Sequence, residues 1–419
     1  MLLLKGFRFL LLPTPAQRHS FACAAGCARL VWNTALALQL QRRQHQQPLL
    51  SYKELSPLLK LWKYEKPFLK EAPSQALQQR LMDLSQAIEE ARDPKNPKQF
   101  PVFKKKGEDD SFRYPQHFEV DEPRAKIELP KLGWVRYVKS RAVTGIVKNV
   151  TLTQEAGRWY VSLQTEQEVQ EPKHPSTSII AGDLGVVHFL TLSDGTHYDA
   201  PDYKPLEHKI KRAQQKLSKK RKSGKNYQKQ RIKLQRANKK LRDKREDFQH
   251  RLSFQLSKNH AVVVLEKLRV KGMTKSAKGT LEEPGKNVAQ KAGLNRAILR
   301  QAWSEFVRQV TYKCEWRGGR FLPVSPEYTS QRCSACGFVS AENRKSQAEF
   351  ECISCGHAEN ADTNAAKNIL ALGLLELQKP KEAKPAKKKR RRKSGTAGKA
   401  GIACCEPVGK KAQKRARHR

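Results

Sequence analysis

Residues Cys333–Leu370 read CSACGFVSAENRKSQAEFECISCGHAENADTNAAKNIL. Two Cys-x-x-Cys pairs, Cys333/Cys336 and Cys352/Cys355, are separated by fifteen residues, and each pair is followed by glycine, at Gly337 and Gly356. This is the spacing of a zinc ribbon, in which two tight turns each offer two thiolates and four sulfurs close a tetrahedral Zn2+ site. A closed four-sulfur site leaves no open position, so the expected role is structural. Disulfides or unpaired core thiols are the alternatives. The spacing and the lack of a secretory signal speak against both. Beyond the second pair, Asp362 and Asn364 open a helix-forming run, TNAAKNILALGLLEL. An acid at a helix start is commonly an N-terminal cap, and taken alone Asp362 reads as one.

Working outward, 419 residues exceed one compact core, so about two to four modules are expected. Lys and Arg number 83 against 40 acids, a net charge of +43. Such a surplus repels itself in a compact state and calls for a polyanion, nucleic acid first and an anionic membrane surface second. The apolar start, MLLLKGFRFLLLP, is interrupted by Lys5 and Arg8 and broken by Pro13. It is too short to span a bilayer and lacks a small-residue cleavage site, so it reads as a strand. With no other apolar run near eighteen residues, the expectation is a soluble intracellular protein with reduced cysteines.

Thr14 and Pro15 mark the start of a helix of about thirty residues. Cys23 and Cys27 lie one turn apart on it and read as small core residues. SYKELSPLLKLWKYE and SQALQQRLMDLSQAIEEARD predict two more helices, the second capped by Ser74. From Phe103 to Thr165 the signals are those of strands, with a hairpin turning at Glu155–Arg158. Here Lys104, Lys105, Arg113 and Tyr114 interleave charge and aromatic rings, a mixture suited to backbone neutralisation and base stacking; a bland exposed loop explains it equally well.

A short apolar strand, Ile179 to Ala181, delivers Asp183 between Gly182 and Gly185, and a second strand is expected from Val186 to Leu192. An ordinary turn aspartate and a metal ligand are both open readings of Asp183. Residues 207–256 read as two basic helices joined at Ser223 and Gly224, with Lys219, Lys220 and Arg221 beside the joint. Acids are too few there to pair the cations, so phosphate contact is expected. Ala261 to Leu265 is a continuous apolar strand of the kind buried on both faces, ended by Glu266. LNRAILRQAWSEFVRQVTYKCEWRGG predicts one further helix, with Cys314 in its core, before a strand at Arg320–Val324. Residues 378–419 are low in complexity and rich in Lys and Arg, the composition of a disordered cationic tail. Cys404 and Cys405 within it receive no role.

Asp183 and Glu266 end strands and Asp362 begins a helix. Two-metal phosphodiester hydrolysis needs carboxylates from separate elements, holding two Mg2+ ions ~3.5–4 Å apart. A basic protein with such a set points to nucleic-acid cleavage. The motifs GDLG at Asp183, VVVLEKLRVKGM at Glu266, YKCEWRGGRF, YTSQRCSACG, ECISCG and ADTNAAKNIL at Asp362 occur in the order found in the TnpB (OrfB) family. RFLLLPTPAQ and LPKLGW fit as well, so the resemblance runs from about residue 5 to 377.

The resemblance implies an α/β multidomain protein with an RNase H-like nuclease domain of the RuvC type, catalytic at Asp183, Glu266 and Asp362. It also implies an amino-terminal wedge-like β-barrel interrupted by a helical recognition insert. On this reading residues 1–13 and 95–170 form the barrel and 14–94 the insert. Residues 171–330 and 357–377 form the nuclease domain, and 331–356 the ribbon. Family members, bacterial proteins long labelled transposases, bind a guide RNA from the element's end and cleave double-stranded DNA beside a short motif. They are similar to the ancestors of type V CRISPR effectors. The implied cofactors are structural Zn2+ and catalytic Mg2+, with no membrane and no small-molecule substrate. The implied location is the bacterial cytoplasm at the nucleoid, or the nucleus if the tail marks a eukaryotic relative. A nuclease-silent regulator and a strand-transferring transposase are the alternatives.

Overall fold

The computed structural model describes residues 1–96, 98–108, 110–222, 224–280 and 282–379. Ser223, most of the basic tail, Cys404 and Cys405 lie outside the described residues. Met1–Leu374 form one compact unit.

The chain opens with β1 (Leu2–Leu12), whose alternation buries Leu3, Phe7, Phe9 and Leu11 on one face. Thr14 then caps α1 (Pro15–Gln44): its hydroxyl accepts from the Gln17 backbone N–H, and the Gln17 side chain accepts from the Thr14 N–H. That reciprocal pair satisfies two of the N–H groups a helix start leaves open. Two helices follow, α2 (Tyr52–Glu65) and α3 (Ser74–Arg92). Ser74 is the first helical residue of α3 and Pro73 holds the cap position, so the expected Ser74 cap is not formed.

Strands β2 (Ser111–Tyr114), β3 (Glu119–Asp121), β4 (Lys126–Leu129), β5 (Gly133–Val138), β6 (Ile146–Glu155) and β7 (Arg158–Glu168) join β1 in one sheet. Its order is β2-β6-β7-β1-β5-β4-β3, every described pairing antiparallel. The β6–β7 hairpin turns at Ala156 and Gly157, both with positive φ (51° and 76°), as a two-residue turn matched to strand twist requires. The inner faces of this sheet and of α1–α3 share one core, with Phe21, Phe112 and Trp159 meeting edge to face.

By length and composition α1 is apolar enough to cross a membrane, contrary to the expectation that no such run follows the start. Half of its most apolar window is buried inside the protein, with Phe21, Val31 and Leu36 in the shared core. Cys27 is buried there, but Cys23 is exposed beside His19 and is not a core residue.

A second sheet runs β10-β9-β8-β11-β12. It comprises β8 (Ile179–Asp183), β9 (Leu190–Leu192), β10 (His197–Tyr198), β11 (Val262–Glu266) and β12 (Arg320–Val324). β8, β11 and β12 are parallel, whereas β9 returns antiparallel to β8. The strand expected from Val186 forms only at Leu190–Leu192. Gly185 makes the tight turn before it, where an added Cβ would lie 2.6 Å from the His188 carbonyl oxygen. Helices α4 (Lys204–Ser218) and α5 (Lys225–Asn259) are inserted between β10 and β11. A short α6 (Val270–Met273) leads to α7 (Val288–Gln301) and α8 (Trp303–Trp316). The single helix expected here is two, because Ala302 adopts φ 52° and breaks it. Phe189, Leu256, Val263, Phe306 and Cys314 form the second core.

Candidate active site and metal centre

Parallel pairing fixes the first two acids. β8 and β11 are neighbours in register, Ala181 opposite Val264 and Gly182 opposite Leu265. The next residue on each strand is Asp183 and Glu266, so both carboxylates leave the same sheet edge. Gly182 is explained by packing: a Cβ there would strike Leu190 at 2.5 Å and crowd Leu192 and Leu265. It makes room for the core and not for a ligand.

The third acid comes from α9 (Ala361–Gln378), which follows the ribbon hairpin of β13 (Glu349–Glu351) and β14 (Ala358–Asn360). Gly373 lets α9 lie against β11, since a Cβ there would meet Val264 at 2.7 Å. Asn360 caps α9, its Oδ1 accepting from the backbone N–H of Asp362 at 3.0 Å and of Thr363 at 3.2 Å. The cap role that weighed against Asp362 is therefore filled by another residue. Its carboxylate instead lies 3.5 Å from Arg344 Nη2. Asn364 and Asn368 tie α9 to the ribbon's entry, donating to the Arg332 carbonyl at 2.8 and 2.7 Å, and Asn368 also donates to the Thr329 carbonyl at 2.9 Å. Thr329 in turn donates its hydroxyl to Glu266 Oε1.

Burial, then the charges of Glu266 and Asp362, push the Asp183 carboxyl up to about 7, against Arg344, which pulls it down. Burial raises Glu266 as well, opposed by the Thr329 hydrogen bond. Three acids gathered with one guanidinium form a concentrated negative site in low dielectric. The donor set is all oxygen and suits a hard divalent cation, whose charge would offset the repulsion that raises Asp183. Arg344, Thr329, Asn360 and Asn368 escaped the sequence reading. Arg344, Thr329 and Asn368 act through contacts distant in sequence, whereas Asn360 is a local cap two residues before Asp362 that the sequence offered.

The four cysteines converge: the Sγ of each lies within 4.8 Å of all the others, and among the described residues no other group of three or more His, Cys, Asp or Glu side chains, the three acids included, comes together within that reach. Cys333 and Cys355 Sγ are 3.7 Å apart, and Cys336 and Cys352 Sγ 3.6 Å. Those separations are far too long for disulfides and close to the ~3.8 Å edge of a tetrahedron with ~2.3 Å metal–sulfur bonds. Gly337 and Gly356, at φ 79° and 70°, return their N–H groups to the Cys333 and Cys352 carbonyls at 3.0 and 2.9 Å. Burial opposes the Cys352 thiolate, but the backbone N–H groups of Cys355 and Ser354, with the Cys336 thiol, bring it down to about 7.

The expected nucleic-acid contacts divide. Lys105, Lys219, Lys220 and Arg221 are exposed. Lys104 lies over the Trp32 ring at 4.3 Å, and Arg113 is half-buried 4.0 Å from Asp83. Tyr114 is fully buried, its hydroxyl donating to the Pro130 carbonyl at 3.3 Å, so it is a core residue and not a stacking surface. The strand alternation that buries Phe112 turns Tyr114 inward too. Several α5 cations expected at phosphates serve the protein instead. Arg242 and Lys239 pair with Glu155, and Arg231 donates to the Gly107 carbonyl at 3.2 Å.

The chain belongs to the TnpB (OrfB) family of insertion-sequence proteins. Three family models match it: "Probable transposase" (OrfB_IS605) over residues 162–277, "Cas12f1-like, TNB domain" over 303–369, and "Helix-turn-helix domain" (HTH_OrfB_IS605) over 1–48. The last stretch folds here as a strand and one long helix. A relative from Escherichia coli K12, named "Putative RNA-guided DNA endonuclease InsQ", is 46% identical over 373 residues, 88% of this chain and 92% of the relative. A Streptomyces pristinaespiralis protein, named "Putative RNA-guided DNA endonuclease", is 30% identical over 88% of this chain and 89% of its own length. Among solved structures, a Cas12f1–sgRNA–target DNA complex covers 88% of this chain and 99% of that one, at 15% identity and TM-score 0.33.

Proposed function

We propose that the chain is a transposon-encoded RNA-guided DNA endonuclease, cleaving phosphodiesters at Asp183, Glu266 and Asp362. The observation that carries this reading is that Asp183 and Glu266 end two paired strands and that the charges of Glu266 and the non-capping helix-start Asp362 both act on Asp183. Membership of the family and the 46% identical relative support it. The second sheet's order, with one antiparallel return beside three parallel strands, supports an RNase H-like domain. The seven-stranded sheet stands for the wedge-like barrel, and the domain bounds given above remain our assignment.

Asp183, Glu266 and Asp362 would hold catalytic Mg2+, which when bound supplies an activated water and charge stabilisation at the leaving oxygen. Asp183 and Glu266 are aimed by their strands, and Thr329 fixes one Glu266 oxygen. Arg344 orients Asp362 and spreads positive charge over the acids, where a phosphate would also approach. Cys333, Cys336, Cys352 and Cys355 would hold one structural Zn2+. Lys105, Lys219, Lys220 and Arg221 are the exposed candidates for backbone contact, with Lys104 and Arg113 beside them. Base pairing to the guide would then carry the sequence choice. The bacterial cytoplasm is the location this function requires.

The experiment is to sequence RNA that copurifies with the protein, then supply it with a plasmid carrying the matched target. Cutting only of the matched plasmid is the expected result. Cutting without RNA, or joining of the strand to a new site, would replace the reading with an unguided nuclease or a transposase.

A further inference from the structure

The hairpin of β9 and β10 carries a side-chain cluster that neither the acids nor the cysteines use. We propose that His188 and His197 form a further metal centre. It takes a transition-metal ion such as Ni2+ or Zn2+ through two imidazole nitrogens and leaves the other positions to water. The inference goes beyond the cleavage reading and does not depend on it.

His188 Nδ1 lies 2.7 Å from Asp199 Oδ1. A carboxylate only accepts, so in the neutral ring the proton sits on Nδ1 and the lone pair is left on Nε2. A carboxylate placed in this way fixes the tautomer and direction of a ligating histidine and raises its basicity. The His197 ring centre is 4.7 Å from that of His188, with the planes at 50°. An ion ~2.1 Å from one nitrogen of each ring lies ~3.2 Å from each ring centre, and ligand angles of ~90–109° then put the centres ~4.5–5.2 Å apart. The observed spacing falls within that range. Among the described residues no hydrogen bond engages His188 Nε2 or either nitrogen of His197. His197 and Asp199 are exposed and His188 is half-buried, so an ion reaches the pair from solvent.

The backbone holds both rings before any ion arrives. Phe189, next to His188, is buried in the second core, its ring 5.0 Å from Phe306 and 5.1 Å from Phe248. Its N–H donates to the Tyr198 carbonyl at 2.8 Å, beside His197. His197 stands opposite Thr191, and the hairpin closes with the Leu192 N–H on the Thr196 carbonyl at 2.7 Å. A site so preorganised loses little affinity to ordering. Thr191 is also the residue opposite Asp183 on β8, so an ion on the two histidines would tie the turn leaving Asp183 to the outer strand.

The donors set the class of ion. Neutral imidazole suits Cu2+, Ni2+ and Zn2+, whereas Mg2+ prefers oxygen, so this pair and the acid cluster select different metals.

The test is calorimetric titration of Ni2+ into the zinc-loaded full chain, without a histidine tag and in excess Mg2+, followed by thermal unfolding. Wild type should take up one Ni2+ with its Zn2+ retained, and its melting temperature should rise with Ni2+. Affinity should fall from Ni2+ to Co2+ to Mn2+. His188→Gln and His197→Gln should each abolish the rise in melting temperature and weaken uptake by about tenfold or more. Asp199→Asn leaves both ligand nitrogens in place and should weaken uptake about tenfold. Uptake unchanged in both histidine variants would assign the ion to the chain's other histidines. Uptake matched by Zn2+ release would assign it to the cysteines, and displacement by Mg2+ to the acids. Each of these results would overturn the proposal. So would a wild-type melting temperature that Ni2+ leaves unmoved, which would make the two rings a packing contact.

Discussion

Arg344 stands between the two cysteine pairs in sequence, yet its Nη2 lies 3.5 Å from Asp362 Oδ1 at the start of α9. The ribbon thus does more than staple a loop. It carries the one cation described in contact with the acid cluster, and that cation also lowers Asp183 against the pull of its acidic neighbours. Replacing Arg344 with Ala should cut cleavage about tenfold or more while zinc content stays at wild type, and Lys should restore part of the rate. Metal analysis beside plasmid cleavage checks both halves; unchanged cutting in Arg344→Ala would make the contact incidental.

Loss of zinc should therefore reach the acids. With four sulfurs 3.6–3.7 Å apart across the pairs measured, Cys352→Ser removes a ligand from the centre that shapes the ribbon. The expected result is a fall in zinc content together with a loss of cleavage, because Arg344 belongs to this segment and Asn368, on the helix that follows it, holds the Thr329 that contacts Glu266. Full activity in zinc-free protein would separate the ribbon from the site.

Gly373 should tolerate no branched side chain. A Cβ there already meets both methyls of Val264, at 2.7 and 2.8 Å, in the middle of a buried strand. Gly373→Val should cost about 1–3 kcal/mol by overpacking and displace α9 from β11. Thermal unfolding measures the cost; a wild-type melting temperature would place α9 elsewhere.

Lys313 gives a pH dependence whose sign is fixed. Its folded pKa of about 8 lies below the ordinary 10.5, so between those values the unfolded chain binds the extra proton. Its contribution to stability therefore rises with pH across that window and is least favourable below about 8. Lys313→Met should flatten the stability curve between pH 8 and 10.5 relative to wild type. Parallel curves for the two proteins would remove Lys313 as the cause.

Much of this was legible in the chain because its signals are local. The cysteine pairs and their glycines specify two tight turns whatever surrounds them. Ile179–Ala181 and Ala261–Leu265 are short β-branched-rich apolar runs that read as buried strands, and each is followed closely by its acid. The break at Ala302 was not legible, since alanine carries no preference for positive φ and the carbonyls at the break are met by Gln249, some fifty residues away. Tyr114 was misread because a basic and aromatic run looks alike whether its rings face water or a core. Glu155 was invisible as the anchor of Arg242 and Lys239, being some eighty residues from both. Arg344, eighteen residues from Asp362, and Thr329, 63 residues from Glu266, were hidden from the acids they touch in the same way.

The central claim is that Asp183, Glu266 and Asp362 serve one metal-dependent cleavage site. The most direct measurement is cutting of a supercoiled plasmid with a matched target, with and without Mg2+, by wild type and by each alanine variant, alongside binding of the same target. If the acids serve the metals, each variant should bind as wild type does and cut several orders of magnitude more slowly, and wild type without Mg2+ should not cut. Full cutting by any one variant, or undiminished cutting without a divalent cation, would contradict the account.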